Sequence, residues 1–370
     1  MEIELSIVMP CLNEAETITS CIEKAKSFLY KNKINGEIII GDNGSVDGSQ
    51  KLAIDAGAQV VTVNEKGYGN ATREAIKNAK GKYIITADTD DSHDLLGLMP
   101  FLEKLRQGND LVMGNRFKGE KIPEAMSFLH RYIGNPILSG IGNVFFKTKV
   151  GDFHCGLRGM TTEAYKKMDL RTSGMEFASE IVVKASLNKL KIAEVPTTVY
   201  PSGRSRKPHL RSFPDGWRHL RFLLLYSPKW LFLLPGIFIM ILGLFVTIIL
   251  LYKDQVDMKW LPLSIFGIIV GFQFCLFYAL TKIYAINHRI VPKPENYSGL
   301  FKFINLEKGL TFGSLVFVLG VFGIFYSYLN CEVVLEQLKI SMISSALLAV
   351  GVQIILFSFF FSVLGLGDKS

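Results

Sequence analysis

The residues with the most chemical potential lie in Ala87-Asp88-Thr89-Asp90-Asp91-Ser92-His93, directly after the apolar run Tyr83-Ile84-Ile85-Thr86. Such a run reads as a buried strand. Carboxylates crowded at a strand end repel one another, and desolvating them is costly unless a cation or hydrogen-bond donors compensate. A hard divalent cation takes oxygen ligands and commonly shares them with substrate phosphates. Asp88 and Asp90 can reach one ion if the backbone bends at the strand end. A calcium loop of the helix-loop-helix kind fails, because His93 and Met99 stand where it needs Gly and Glu. Two other uses stay open at this point. Asp90, Asp91 or Ser92 could cap a helix entering Leu95-Leu96, and a solvated acidic turn needs no ligand at all.

The elements that would position these groups alternate along the first half of the chain. Ile3–Met9 reads as a strand running into Pro10-Cys11-Leu12-Asn13-Glu14, where a helix begins with Ile18, Ile22, Ala25 and Leu29 on one face. Glu37–Ile40 reads as a second strand, ending in Gly41-Asp42-Asn43-Gly44-Ser45-Val46-Asp47-Gly48-Ser49. That polar, glycine-rich turn can bring backbone N–H groups and a carboxylate against a ligand. A third strand, Gln59–Val63, leads to Asn64-Glu65-Lys66-Gly67-Tyr68-Gly69 and a helix over 71–80. Strand–helix alternation with short loops predicts a parallel α/β sheet. Ligands of such sheets bind beyond the carboxyl ends of the strands, where every one of these polar clusters falls. Neither a phosphate loop of the G-x-x-x-x-G-K-[ST] kind nor a G-x-G-x-x-G first turn is present.

Charge and hydropathy divide the 370 residues in two. Residues 1 to about 229 hold most of the charge, and four apolar runs follow: Trp230–Tyr252, Leu261–Ala285, Leu310–Leu329 and Ser341–Gly367. Each is long enough for the ~20 residues a membrane helix needs. None lies at the N-terminus, so a cleaved leader is not expected. The expected organisation is therefore a domain over 1–200, a basic interfacial segment over 201–229 and a membrane domain over 230–370. Arg218, Arg221 and Lys229 precede the first span, and Lys282, Arg289, Lys293, Lys302 and Lys308 surround the 286–309 connection. The remaining connections carry only Lys253, Lys259 and Lys339. This bias puts the first domain and the C-terminus on the cytoplasmic face of the plasma membrane. Five scattered cysteines without a Cys-x-x-Cys pair agree with a reducing compartment. The net charge of +8 gathers next to the spans, so membrane lipids, and not nucleic acid, are the expected polyanionic partner.

Taken together, these residues resemble glycosyltransferase family 2. Pro10 to Glu14 is similar to its Pro-x-x-Asn-Glu stretch, Asp42 to Ser49 to its Asp-Asp/Asn-Gly-Ser-x-Asp-Gly-Ser/Thr loop, Lys66-Gly67-x-Gly69 to its Gly-Lys-Gly loop, and Asp88-Thr89-Asp90 to its Asp-x-Asp motif. Within the family the chain resembles polyprenyl-phosphate (dolichol-phosphate type) sugar synthases. Asp90-Asp91-Ser92-His93 is similar to their Asp-Leu-Ser-His, with Asp91 replacing an apolar residue. Gly114-Asn115-Arg116-Phe117 is similar to their Gly-Ser-Arg-Tyr, and Asp152–Gly159 to their acceptor-side loop.

The resemblance implies a GT-A fold and an inverting, metal-dependent hexose transfer from a nucleotide sugar to a polyprenyl (dolichyl or undecaprenyl) phosphate. It implies that Asp42 meets the base, that Pro10, Leu12 and Glu14 line the nucleoside pocket, and that Asn13, Asn43, Ser45, Lys66, Thr89 and Ser92 complete the donor site. Asp88 and Asp90 would hold Mg²⁺ or Mn²⁺ on the diphosphate, neutralising charge on the leaving group. Arg116 would pair bidentately with a phosphate oxygen. Asp152 is a weaker candidate for a base or acceptor-orienting group, since a lipid monophosphate with a second pKa of ~6 is nucleophilic unaided.

From Arg204 to Lys229, seven basic residues face one acid, Asp215. Trp217, Leu220 and Leu224 recur at helical spacing with Arg218 and Arg221 projecting elsewhere, the pattern of a helix lying in the membrane interface. Arg204, Arg206 and Lys207 are assigned to capture of the lipid phosphate, against plain headgroup binding. His154 reads as a packing histidine. The spans carry few ionisable residues and so no ion pathway; they anchor the chain and can support a homo-oligomer. Two rivals stand beside this reading. A processive polysaccharide synthase would carry a Gln-x-x-Arg-Trp motif, which is missing. A non-catalytic transporter of lipid-linked sugar with a nucleotide-sensing domain would not need Asp88, Asp90 and Arg116.

Overall fold

Seven consecutive buried residues, Leu5–Cys11, make β1 the middle of a sheet, because a strand covered on both faces can be apolar throughout. The computed structural model describes residues 2–120, 122–206, 212–252, 259–288, 290–293 and 306–366. Two compact units, Met1–Leu223 and Leu224–Ser370, make up the chain.

In the first unit, β1 pairs in parallel with β2 (Gly36–Asp42) and β4 (Tyr83–Thr86), and β2 with β3 (Gln59–Thr62). Helices α1 (Ile18–Lys31), α2 (Ser49–Asp55) and α3 (Tyr68–Lys77) make the crossovers, and α4 (Met99–Arg106) leads to β5 (Leu111–Asn115). A π-helical turn (His130–Gly134) and α5 (Asn135–Phe146) come next. β6 (Arg158–Thr161), α6 (Thr162–Met168), α7 (Phe177–Leu187) and β7 (Ile192–Pro196) complete the layer. The order is β3-β2-β1-β4-β6-β5-β7. β6 runs antiparallel to both β4 and β5, with Thr86 opposite Arg158. The parallel reading therefore holds for the first four strands and for β5–β7 only, which is the mostly parallel α/β sheet expected of a GT-A domain. Side chains such as Ile7, Met9, Ile22, Phe28, Ile40, Ile85 and Phe101 fill one contiguous core.

The first helix begins at Ile18, where its apolar face begins, and not at Asn13-Glu14; Asn13 itself has φ of +56°, outside the helical range. No helix enters at Leu95-Leu96 either. α4 starts at Met99 with Pro100 in its first turn, so Asp90, Asp91 and Ser92 cap nothing.

α8 (Ser212–Tyr226) closes the first unit, its last turn running into the second. Asp215, His219, Phe222 and Leu223 are its buried residues, while Phe213 and Trp217 are exposed. Lys207 and Arg211 lie outside the described residues. In the second unit, α9 (Leu234–Tyr252, continuing a turn from Lys229), α10 (Trp260–Asn287), α11 (Leu306–Asn330) and α12 (Val334–Leu366) each contain a stretch apolar and long enough to cross a membrane. These cover the four expected spans; Gly367 itself is outside the described residues. Small residues set the helix pairs close: Gly236, Gly243 and Gly271 between α9 and α10, and Gly313, Gly320 and Gly351 between α11 and α12.

One buried ion pair organises the loop that supports the site. Glu180 and Lys184 on α7 are almost fully buried and 3.0 Å apart. Glu180 also accepts hydrogen bonds from the Arg171 amide (2.9 Å), the Thr172 amide (2.8 Å) and the Thr172 hydroxyl (2.6 Å). The loop so held presents the Ser173 carbonyl to the Gly69 amide (2.8 Å). A Cβ on Gly67, at φ of +134°, would meet that same carbonyl at 2.2 Å. Replacing Glu180 with Ala leaves the Lys184 ammonium with the Asp169 carbonyl but no counter-charge, and strands three donors. We expect a loss of about 3–5 kcal/mol, read as a lower denaturation midpoint of the detergent-purified chain, with Glu180→Gln losing less.

Candidate functional site

Two loops at the carboxyl ends of β1 and β2 are zipped together. The Asn13 amide donates to Ser45 Oγ (2.8 Å), the Val46 amide to Asn13 Oδ1 (2.9 Å), the Glu14 amide to Ser49 Oγ (2.9 Å) and the Ala15 amide to Asp47 Oδ2 (2.9 Å). Asp42, fully buried, accepts from the amides of Gly44 (3.0 Å) and Ser45 (3.1 Å) and from the Gln50 side chain (2.5 Å). Asn43 ties this loop to the next one. Its Oδ1 takes the Gly67 amide (2.7 Å), and its carbonyl takes Lys66 Nζ (2.6 Å). Asn13, Asn43 and Ser45, read from sequence as donor-binding residues, thus spend their side chains on building the cradle.

At the end of β4, Thr89 is clamped from both sides. Its hydroxyl donates to the Pro10 carbonyl (2.9 Å), and the Thr17 hydroxyl donates to its own carbonyl (2.6 Å). The flanking carboxylates are thereby fixed in direction. Tyr68 donates its hydroxyl to Asp88 Oδ1 (3.2 Å), and the Asp88 amide donates to His93 Nδ1 (3.2 Å). Ser92 serves Asp90 Oδ1 through its hydroxyl (2.6 Å) and amide (3.2 Å). Asp91 is a separate matter. At φ of +61° it turns away and pairs with Lys24 (2.6 Å), which explains a third acid where an apolar residue was expected.

Among the described residues, no group of three or more His, Cys, Asp and Glu converges on one point. Two such carboxylates, Asp88 and Asp90, suit a hard cation that completes its shell with phosphate oxygens and water. The cradle leaves room for it: a Cβ on Gly156 would stand 2.3 Å from Asp88 Oδ2 and 2.9 Å from the His93 ring.

On the other side of β6, Arg116 and Asp152 form a two-pronged pair at 2.6 and 2.8 Å. Asp152 is fully buried and also accepts the amides of Arg116 (3.2 Å) and His154 (3.1 Å). Burial alone would raise its pKa, but the Arg116 guanidinium and these bonds hold it below the ordinary carboxylate range. Such a group is a poor proton acceptor. The reading of Asp152 as a base gives way to one in which it aims Arg116.

Sequence reasoning missed what surrounds this pair. Arg158 is buried and donates to the carbonyls of Cys155 (2.6 Å), Ala178 (3.1 Å) and Phe153 (3.3 Å), so it shapes the loop from Asp152 to Gly156. Ser179 bridges His154 Nε2 (3.3 Å) and His219 Nδ1 (2.9 Å). Burial lowers the pKa of both histidines, that of His219 to about 4, and His219 lowers that of His154 further. His154 is thus the packing residue expected. No local pattern marks these contacts, since each joins residues 20 or more positions apart apart from those of Arg158 to its own loop.

Arg204 and Arg206, assigned from sequence to the acceptor phosphate, reach over the β1 loop. Arg204 pairs with Glu14 (2.5 Å) and with Asp90 Oδ2 (3.1 Å). Arg206 pairs with Glu14 and donates to the carbonyls of Asn13 (2.9 Å) and Leu12 (3.0 Å).

Comparisons with known proteins place the chain among relatives. Residues 6–169 match the model for Glycosyl transferase family 2, and residues 279–365 that for the Glycosyltransferase family 2 C-terminal transmembrane region. The low-salt glycan biosynthesis hexosyltransferase Agl6 of Haloferax volcanii is 35% identical, over 98% of this chain and 89% of its own. A dolichyl-phosphate hexose transferase of the same organism is 27% identical over 52% of this chain and 81% of its own. Among solved structures, a glucosyl-3-phosphoglycerate synthase of Mycobacterium tuberculosis, in complex with Mn²⁺, UDP and glucosyl-3-phosphoglycerate, aligns with a TM-score of 0.45 at 21% identity, covering 60% of this chain and 77% of that one.

The clearance at Gly156 is directly testable. Gly156→Ala puts a methyl group against Asp88 and the His93 ring, and we expect activity to fall by about tenfold or more as the carboxylate is displaced from its working geometry. The denaturation midpoint should move far less than in Glu180→Ala.

Proposed function

The chain belongs to glycosyltransferase family 2, and from that premise we propose that it transfers a hexose from a nucleoside-diphosphate sugar to a polyprenyl phosphate, dolichyl or undecaprenyl, with inversion at the anomeric carbon. The observation that carries this is the opposition of two half-sites across β6. A pair of carboxylates, Asp88 and Asp90, lies on one side, and a guanidinium aimed by a buried carboxylate, Arg116 on Asp152, on the other. One suits a metal-bound diphosphate and the other a phosphate monoester. The membrane domain in the same chain and the dolichyl-phosphate relative both favour a lipid as the carrier of that phosphate.

In this reading, Pro10, Leu12, Glu14, Asp42 and Lys66 surround the nucleotide, and Asp88 and Asp90 hold Mg²⁺ or Mn²⁺. The bound ion would supply charge neutralisation for the departing diphosphate. Arg116 orients the acceptor so that one phosphate oxygen faces the anomeric carbon opposite the leaving group. That oxygen forms the new bond to carbon as the bond to the diphosphate oxygen breaks, the electron pair leaving with the nucleoside diphosphate. A lipid phosphate with a second pKa of ~6 is mostly dianionic at neutral pH, so no protein base is required. The Lys and Arg bias of the connections supports a cytoplasmic catalytic face at the plasma membrane.

Purified full-length protein in detergent, with Mg²⁺ or Mn²⁺ and a short polyprenyl phosphate, should release nucleoside diphosphate from one of UDP-glucose, UDP-galactose, UDP-N-acetylglucosamine or GDP-mannose and form a lipid-linked sugar. Asp90→Asn should cost about 100-fold or more in kcat, and Arg116→Lys should raise acceptor KM, because an ammonium cannot pair bidentately. Release that is indifferent to the lipid would overturn the acceptor assignment. No release with any of the four donors would favour the transporter reading.

A further inference from the structure

We propose that Arg204 is a resident counter-cation for Asp90, which keeps the metal site closed to a free ion and opens it only to a metal and nucleotide arriving together. The inference rests on the donor site proposed above. It starts from a strap, residues 199–206, laid across the ends of β1 and β4. The Tyr200 amide donates to the Ser92 carbonyl (2.9 Å) and the Gly203 amide to the Asp90 carbonyl (3.0 Å). Ser205 donates to Glu16 through its amide (2.6 Å) and its hydroxyl (2.5 Å). The backbone on either side of Arg204 is therefore pinned, and its side chain is delivered to Asp90 by the same peptide that holds the Asp90 carbonyl.

Glu14 and Asp90 face Arg204 and Arg206, two acids against two guanidiniums. A divalent ion entering alone would add positive charge beside these guanidiniums and would have to displace Arg204 from Asp90 Oδ2. A nucleoside diphosphate arriving with the ion brings negative charge that offsets it, and the diphosphate offers Arg204 a replacement partner that a guanidinium grips well.

Two buried polar atoms beside this pair make no hydrogen bond within the protein. Glu14 is 6% exposed, yet its Oε2 has no hydrogen-bond partner, and neither has the buried Nε of Arg204. Both residues line one cavity of about 350 Å³ with Asn13, Glu16, Asp47 and Arg206. Buried polar atoms are ordinarily satisfied. An unused acceptor beside an unused donor fits a ligand bearing hydroxyl groups and phosphate oxygens.

The test measures Mn²⁺ binding to the full-length protein in detergent, by the spin-resonance signal of the free ion, alone and with UDP or GDP. Wild type should bind Mn²⁺ weakly alone and at least about tenfold more tightly with one nucleotide, the size of effect a single charge at contact distance produces. Arg204→Gln should tighten binding of Mn²⁺ alone by about tenfold and shrink the gain from nucleotide. Arg204→Lys should return toward wild type. Arg206→Gln, which removes a cation from Glu14 but not from Asp90, should leave binding of Mn²⁺ alone little changed. Unchanged affinity for Mn²⁺ alone in Arg204→Gln overturns the proposal, as does wild type binding Mn²⁺ equally well with and without nucleotide. No Mn²⁺ binding by wild type under any condition overturns instead the metal-bound donor site on which it rests.

Discussion

The clamp on Thr89 is the interaction on which the carboxyl edge of the sheet depends. With its hydroxyl bonded to the Pro10 carbonyl and its carbonyl bonded by Thr17, this residue is tied to the β1 loop at two points. Asp88 and Asp90 inherit their directions from it. Asp88 is directed toward Tyr68, His93 and the clearance at Gly156, and Asp90 toward Ser92 and the strap. Removing the clamp would leave two mutually repelling carboxylates at a flexible strand end. With it, the repulsion is held in a geometry that a cation or a guanidinium relieves.

Much of this edge was readable from the chain alone, because it is built from short-range patterns. Apolar runs located β1 to β4 to within a few residues, and four polar clusters at strand ends marked one shared site. What escaped was set by contacts between distant residues. β6 offers only Arg158–Thr161, with a glycine in it, and its antiparallel direction follows from pairing with both β4 and β5. Tyr68 stood at a variable position of its motif, and nothing nearby ties it to Asp88. His219 lay within a stretch whose basic and aromatic residues pointed to lipid, yet its ring packs on Ser179 and His154 inside the first unit. The contacts of Arg204 and Arg206 were hidden for a related reason. Charge in a basic run says that an anion is near but not which one, and the nearest anions are Glu14 and Asp90.

The membrane half obeys simpler rules. Hydropathy alone sets four spans. Packing inside lipid has no solvent-driven hydrophobic term, so the pairs α9–α10 and α11–α12 close on glycines and on small hydroxyl contacts such as Thr247 to Ser264 (2.8 Å).

The reversed strand has a geometric consequence. Because β6 is inserted between β4 and β5, the strand end bearing the aspartates and the one bearing Arg116 are separated by two inter-strand spacings, about 10 Å. Were β4 and β5 adjacent, the gap would be about 5 Å, too narrow to seat a sugar ring between two phosphates. In the proposed reaction the inserted strand would act as a spacer for a single hexose, and the loop that leads into it, from Asp152 to Gly156, would lie beneath that ring.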